Sequence, residues 1–122
     1  MKHQPSLLAL GMFAMLFLHA VDGVAAEGAL AARVLRTLVA VDKFGGCMAF
    51  LNKNIMDATN TPDCPSSWVT FSCSGVFAPK DIAFRMFDQA QLAKALSRPV
   101  TVVVDDTKKH NSFCFANRID VN

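Results

Sequence analysis

One segment of the chain has its apolar residues at helical spacing. Its apolar positions recur at three- and four-residue steps, at Ile82, Met86, Ala90, Ala93 and Leu96. Pro79 suits the first turn of a helix, and Pro99 cannot continue one. Phe84 and Phe87 lie away from the centre of this stripe. The spacing therefore predicts a helix between the two prolines, whose small alanines let it lie close on a sheet.

Five other segments carry patterns typical of β-strands. They cover roughly residues 33–41, 47–51, 67–73, 100–104 and 113–121. In the third of them, Val69 and Phe71 alternate with Trp68, so the tryptophan is expected to point away from the face that the other two share. Residues 29–36 could instead begin a helix, but the β-branched residues between 34 and 41 favour a strand there.

The segments between the strands carry turn and loop signals. Gly45 and Gly46 supply the positive φ that a hairpin turn needs. Residues 52–66 are rich in Asn, Asp and Pro, and they are predicted to form a surface loop. Asn117 interrupts the apolar face of the last strand, which indicates either a β-bulge or a buried hydrogen bond.

One cluster of titratable residues lies between the last two strands. His110 follows Asp105 and Asp106 in a charged stretch over residues 105–111, beside two lysines. These residue types are compatible with acid–base chemistry or a metal site. A polar connection between strands is usually solvated, so we interpret the cluster as an exposed hairpin tip.

The order of elements is three strands, a helix and two strands. A three-stranded meander, a helix and a final hairpin is the order of the OB-fold. We therefore predict a mostly β (α+β) chain that forms a small five-stranded OB-like barrel with one helix between strands 3 and 4. The alternative is an open antiparallel sheet with the helix packed across it.

The N-terminal residues have the pattern of a targeting segment. Lys2 and His3 precede an apolar run over residues 7–18, which is shorter than the ~20 residues that cross a bilayer. Small residues at 24–26 suit a cleavage site, and a site after Ala20 is the alternative. We expect a signal peptide over residues 1–26, a single domain over 27–122, and a periplasmic or secreted protein with no stable membrane insertion after cleavage.

Charge and cysteine content limit the partners. The formal net charge is +2, which is too small to indicate a nucleic-acid partner. All four cysteines lie in the predicted domain, and an even number in an exported chain indicates two disulfides, with three connectivities open. A four-thiolate zinc site is disfavoured because no CxxC pair is present, so we expect neither metal nor cofactor.

Three stretches resemble a known family. The strand end Phe71-Ser72-Cys73, the Ala- and Gln-rich segment 88–93 and the apolar strand after Arg98-Pro99 resemble the OB-fold B subunits of pentameric bacterial toxins of the subtilase and pertussis type. They also resemble small exported bacterial proteins of the same layout with no assigned function. The resemblance implies a homo-oligomeric ring that binds cell-surface glycans.

The resemblance also implies a disulfide pairing. In the topology of this family, the first hairpin brings Cys47 next to Cys73. The third and fifth strands run side by side, so Cys64 is expected to meet Cys114. The implied bridges are Cys47–Cys73 and Cys64–Cys114, and each would stabilise the fold by about 2–4 kcal/mol.

Trp68 is the main candidate for ligand binding. It is the only tryptophan of the chain, and an exposed aromatic side chain on a barrel face is suited to stacking a sugar ring or a protein partner. Thr70, Ser72 and Asn117 are its candidate polar companions. The structural alternative is that Trp68 covers the end of the barrel or packs under the 52–66 loop.

These observations lead to two function hypotheses. The first is an exported, non-enzymatic binding module that recognises a glycan or an envelope or host protein. The second is a periplasmic envelope-stress or enzyme-inhibitor protein that acts through the 52–66 loop. We do not expect an enzyme, because the sequence contains no motif that pairs a nucleophile with a base.

Overall fold

The computed structural model describes residues 26–122, so the signal peptide predicted for residues 1–26 lies outside the described residues except for Ala26. The described part contains five strands and one α-helix. They are β1 (Glu27–Val39), β2 (Cys47–Leu51), β3 (Trp68–Thr70), α1 (Lys80–Ala95), β4 (Pro99–His110) and β5 (Phe113–Val121). The prediction of a mostly β chain with a single helix after the third strand is confirmed for this part of the chain.

The five strands form one sheet that closes on itself in the order β1-β2-β3-β5-β4. β1 pairs antiparallel with β2 along one half and with β4 along the other. A parallel contact between Thr70 of β3 and Phe115 of β5 completes the ring. The alternative of an open sheet is therefore wrong. Closure removes free strand edges, which are the usual sites of unwanted pairing.

The first strand begins earlier than predicted. β1 starts at Glu27 rather than near residue 33, because residues 27–33 pair with residues 99–105 of β4. Gly28, Leu30 and Ala32 are buried on the inner face. The alanine-rich sequence of residues 27–33 gives no strand signal, since alanine has a high intrinsic preference for the α-helix. An irregularity between Val34 and Arg36 separates the two halves of β1.

Two other strands differ from their predicted limits. β3 ends at Thr70 rather than Cys73, because the chain turns away at Ser72, whose φ of 60° is left-handed. β4 continues from the predicted end at residue 104 to His110. Residues 106–108 bulge out of the ladder between Asp105 and Lys109. The predicted charged connection is therefore mostly strand, and only residues 111–112 form the turn.

Helix α1 packs against β1, β5 and β2. Its buried residues are Ala83, Met86, Phe87, Ala90 and Ala93. The buried face is rotated from the predicted stripe toward Phe87, whose ring lies 6.4 Å from that of Phe71 in the core. Ile82 and Leu96, which were predicted to face the core, are 45% and 60% exposed. α1 does not have the length and hydrophobicity of a membrane-spanning helix, and the described residues hold no other candidate.

Two disulfides tie the loops to the closed sheet. Cys47 is bonded to Cys73 and Cys64 to Cys114, which are the pairs that the resemblance implied. Both pairs are buried. Structural disulfides persist in oxidising compartments, so the two bridges agree with an extracellular or periplasmic location.

The 52–66 loop is held firmly against the sheet. Its 3₁₀ turn at Ile55–Asp57 buries the side chain of Ile55 completely. The Thr59 hydroxyl accepts a hydrogen bond from the Ala29 backbone N–H at 2.9 Å. Gly28 lies so close to the Thr59 carbonyl that no Cβ would fit there. The loop is therefore a well-packed surface segment with the Cys64–Cys114 bridge at its far end.

Candidate functional site

Trp68 lies on the outer face of the closed sheet, in a row of three paired residues. Arg36 of β1 pairs with Phe50 of β2, and Phe50 pairs with Trp68 of β3. The ring centroids of Phe50 and Trp68 are 5.0 Å apart, and the Arg36 guanidinium lies 5.6 Å from the indole centroid. Trp68 is half-buried by these neighbours. Its ring is thus held at the surface between an aromatic and a cationic side chain.

A groove runs beside Trp68 toward the β1–β2 loop. Leu38, Phe44, Met48, Trp68 and Phe113 line this space of about 160 Å³. Phe44 comes from the β1–β2 loop, and Phe113 is the first residue of β5. Their rings meet edge to face with centroids 5.7 Å apart. We call this surface the aromatic groove.

Phe44 is fixed at the end of the aromatic groove by hydrogen bonds on both sides. Its backbone has a left-handed φ of 59°. Its N–H donates to the Asn111 side-chain oxygen at 2.8 Å, and its carbonyl accepts from the Thr70 hydroxyl at 2.7 Å. Because β3 and the β4–β5 turn both hold this residue, the groove exists before any ligand binds, which lowers the entropic penalty of binding.

The structure does not bring the predicted polar companions to Trp68. Thr70 and Ser72 are completely buried, and their hydroxyls bond within the protein. Asn117 is exposed, but its amide donates to the Glu27 carboxylate at 2.6 Å and lies in the β5 bulge opposite β4. The prediction failed for Thr70 and Ser72 because the outer face of β3 is covered there by the β1–β2 loop and by His110.

Sequence reasoning missed a serine–histidine pair. His110 Nε2 lies 2.9 Å from the Ser72 hydroxyl oxygen, which also accepts the Phe77 backbone N–H at 3.0 Å. The imidazole packs on the Phe77 ring with centroids 4.6 Å apart. His110 is therefore half-buried, not at an exposed hairpin tip as predicted. Burial lowers the pKa of the imidazole, so the ring is neutral at pH 7.

The serine–histidine pair has the atoms of a nucleophile and a base, but it lacks the solvent access and the third hydrogen-bonding group that catalysis needs. Ser72 has no exposed surface, so a substrate cannot reach its hydroxyl. Within residues 26–122 no carboxylate bonds to the His110 ring. A catalytic histidine is normally oriented by such a third group. The pair instead holds the left-handed turn after β3 against the end of β4.

The two aspartates near His110 also have structural roles. Burial raises the pKa of the Asp105 carboxyl, but hydrogen bonds from Thr107 and the charge of Lys108 outweigh this and hold the pKa below its ordinary value. The Asp106 carboxylate accepts the backbone N–H groups of Ala26 and Asp63 at 3.1 and 3.0 Å. The aspartates therefore fasten the β4 bulge, the start of β1 and the 52–66 loop.

A polar cleft of about 250 Å³ adjoins the aromatic groove behind Phe44. Residues 41–46, Ser74, Val76, His110 and Asn111 line it. In the part of the chain that the structure describes, no three His, Cys, Asp or Glu side chains are grouped as metal ligands would be. The cleft thus offers hydrogen bonds and two charged side chains, Asp42 and Lys43, to the polar parts of a ligand.

Comparison of the chain with protein-family models, with curated proteins and with solved structures finds no match in any of the three. The chemistry of the site therefore rests on its own residues. An aromatic platform, an adjacent guanidinium and a preformed apolar groove are features of a binding surface.

Proposed function

We propose that this protein is an exported, non-enzymatic binding module that recognises a carbohydrate at the aromatic groove. The observation that carries the proposal is the half-buried Trp68, whose ring lies at the surface beside the groove with Arg36 5.6 Å from its centroid. The indole stacks on the apolar face of a sugar ring, and the guanidinium donates to its hydroxyls. We further propose that the closed sheet is an OB-like barrel, which the strand order supports.

Intrinsic fluorescence tests this proposal because Trp68 is the only tryptophan of the whole chain. A panel of neutral mono- and disaccharides is titrated into the oxidised protein. Saturable changes in indole emission are expected for at least one sugar, and Phe44→Ala should weaken that response because it removes the end of the groove. Phe84→Ala is the matched control, since Phe84 is exposed on α1 away from the groove. The absence of a saturable change in emission with every sugar of the panel would contradict the carbohydrate proposal.

A second candidate function is the inhibition of an enzyme by the 52–66 loop. The loop is pinned by Cys64–Cys114 and by buried Ile55, yet Met56 at its turn is 41% exposed. Rigid loops with an exposed apolar tip bind enzymes with little entropic penalty. Co-purification of one cell-wall enzyme, lost in Met56→Asp and kept in Trp68→Ala, would favour this function over carbohydrate binding.

We also propose that the protein forms a homo-oligomeric ring, as the toxin B subunits that it resembles do. Ile82, Leu92 and Leu96 recur on one side of α1 at about 100° per residue. All three are at least 45% exposed. Arg85 and Gln89 separate Ile82 from the two leucines on this side. The exposed apolar stripe that the three residues form on the outside of a small domain supports an interface with another copy.

A further inference from the structure

A third pocket opens where β1, β2 and β4 come together. Arg33, Asn52, Lys53 and Pro99 line it with Ala31 and Ala32, and it encloses about 250 Å³. It lies at the junction of the two halves of β1, because Arg33 is the last residue that pairs with β4. Asn52 and Lys53 directly follow the last residue of β2.

The polar groups of this pocket are held in place by backbone hydrogen bonds. The Arg33 backbone N–H donates to the Asn52 side-chain oxygen at 2.8 Å, and the Asn52 N–H donates to the Arg33 carbonyl at 3.0 Å. Because the amide oxygen of Asn52 is used inside the protein, its NH₂ group is the part available to a ligand. One guanidinium nitrogen of Arg33 donates to the Ser97 carbonyl at 2.7 Å. That bond fixes the side chain and leaves its other N–H groups free for a ligand.

Two cationic residues and no acidic residue line the pocket. None of its lining residues is acidic, and Arg33 and Lys53 are both exposed. Within residues 26–122 the ion pairs join Lys108 to Asp105, Lys109 to Asp63 and Arg118 to Asp120. Arg33, Lys53 and Asn52, which carry a guanidinium, an ammonium and an amide NH₂ as hydrogen-bond donors, thus line one space. Such a set suits oxygen atoms that carry negative charge.

We propose that this pocket binds a small oxyanion, namely a carboxylate, a sulfate or a phosphate ester. Arg33 provides the planar fork of N–H donors, Lys53 provides a mobile point charge, and the Asn52 amide completes the donor set. The inference does not require a sugar at the aromatic groove. Arg33 and Arg36 are three residues apart on β1, roughly 10 Å along the strand. A ligand with an acidic group at that distance from its aromatic-bound ring could use both sites.

Nuclear magnetic resonance tests this site directly. Sodium sulfate and sodium phosphate are titrated into the oxidised protein, with sodium chloride added to hold the ionic strength constant. Saturable shifts are expected at the Asn52 side-chain NH₂ and the Arg33 Nε–H signals. Arg33→Gln and Lys53→Gln should each weaken binding about tenfold, because each removes a charge-assisted hydrogen bond. Lys53→Gln breaks no hydrogen bond within the described residues, so it reports on binding even if Arg33→Gln unfolds.

The control is Lys94→Gln, which removes an exposed cation of α1 outside the pocket and should leave the affinity unchanged. Shifts that do not saturate, or that weaken equally in Lys94→Gln, would overturn the proposal, because they would show general attraction of anions to the surface.

Monosaccharides then identify the source of the oxyanion. If glucuronate and glucose 6-sulfate bind more tightly than the inorganic ions, the ligand is an acidic sugar. If sulfate or phosphate binds more tightly than these sugars, the ligand is a free ion. The proposal would be overturned if neutral glucose shifted the Asn52 side-chain signal as strongly as glucuronate does, because a charged oxygen would then not be needed. The Trp68 emission reports separately on the aromatic groove, so failure at one site is distinguishable from failure at the other.

Discussion

His110 is held as a neutral imidazole between the Ser72 hydroxyl and the Phe77 ring. Burial lowers its pKa in the folded protein, while in the unfolded chain it has the ordinary value of about 6.5. The unfolded state therefore binds a proton first as the pH falls. The stability contributed by neutral His110 is complete above about pH 6.5 and is lost progressively below it.

The expected result is a lower urea midpoint at pH 5.0 than at pH 7.5. His110→Gln should reduce this difference, because His110 is the only histidine of residues 26–122 and its titration is then absent. Urea unfolding of both proteins at the two pH values makes the measurement. An equal loss of stability in His110→Gln would show that carboxylates, and not His110, cause the pH dependence.

The position of Trp68 could be predicted from the sequence, whereas the contact between Ser72 and His110 and the burial of Thr70 could not. Strand alternation alone placed Trp68 on the outside, because a period of two fixes the face of each side chain. The contact between Ser72 and His110 depends on the left-handed turn at Ser72 and on the extension of β4 past residue 104. Neither has a local signal in the sequence. The burial of Thr70 follows from the loop conformation at Phe44, which is equally invisible to periodicity.

At the scale of elements, α1 depends on small residues against the sheet. Ala83, Ala90 and Ala93 are completely buried where the helix meets the strands. Ala90→Leu should destabilise the protein by about 1–3 kcal/mol, because the larger side chain overfills a packed site. Ala95→Leu, at an exposed position of the same helix, should change the stability by less than about 0.5 kcal/mol. Chemical denaturation of the two variants measures the difference, and equal stabilities would contradict this packing.

The Cys64–Cys114 bridge joins the 52–66 loop to the start of β5 across 50 residues of sequence. Replacing both cysteines by alanine should cost about 2–4 kcal/mol, chiefly because the unfolded chain regains the freedom of a long loop. Hydrogen exchange of the backbone amides of residues 55–66 should also accelerate, while β1 amides that pair with β4 keep their protection. Unchanged exchange in the loop would show that the buried Ile55 holds it without the bridge.

The helix and β5 could be predicted because each has a regular apolar spacing, and because prolines bound the helix and a charged turn precedes β5. The first half of β1 could not, since residues 27–33 gain strand structure only from pairing with β4, some seventy residues away in sequence, whereas the strand predicted from residue 33 onward is confirmed. The orientation of α1 was shifted for a similar reason. A hydrophobic stripe with Ile82 and Leu96 at its margin is consistent with more than one buried face, and contact with Phe71 selects the one that includes Phe87.

For the whole molecule, the exposed stripe of α1 predicts self-association. Light scattering of the oxidised protein is expected to give a mass several times that of one chain. Leu92→Lys combined with Leu96→Lys should convert it to a monomer, because charge is then placed in the apolar interface. Phe84→Lys is the matched control, since Phe84 is exposed at the opposite edge of the helix and should leave the assembly intact. A monomeric native protein would contradict the proposed ring.

Both candidate sites are built on β1 and β2, at opposite ends of β2. The aromatic groove uses Leu38 of β1 and Met48 near the start of β2, whereas the oxyanion pocket uses residues 31–33 of β1 and residues 52–53 after the end of β2, so the irregularity at Leu35 lies between them. Closure of the sheet holds their spacing nearly fixed, while the disulfides keep the flanking loops in place. A rigid scaffold of this kind is suited to binding more than to chemistry that needs large motions.

Glycan-array binding by the native protein and by Trp68→Ala tests the central claim most directly. The native protein is predicted to bind a defined set of glycans, and Trp68→Ala should lose about 2 kcal/mol of binding free energy, roughly a thirtyfold loss of affinity. Phe84→Ala, which removes an exposed ring far from the groove, should bind the same glycans as the native protein. Equal binding by Trp68→Ala, or no binding to any glycan by the native protein, would contradict the account.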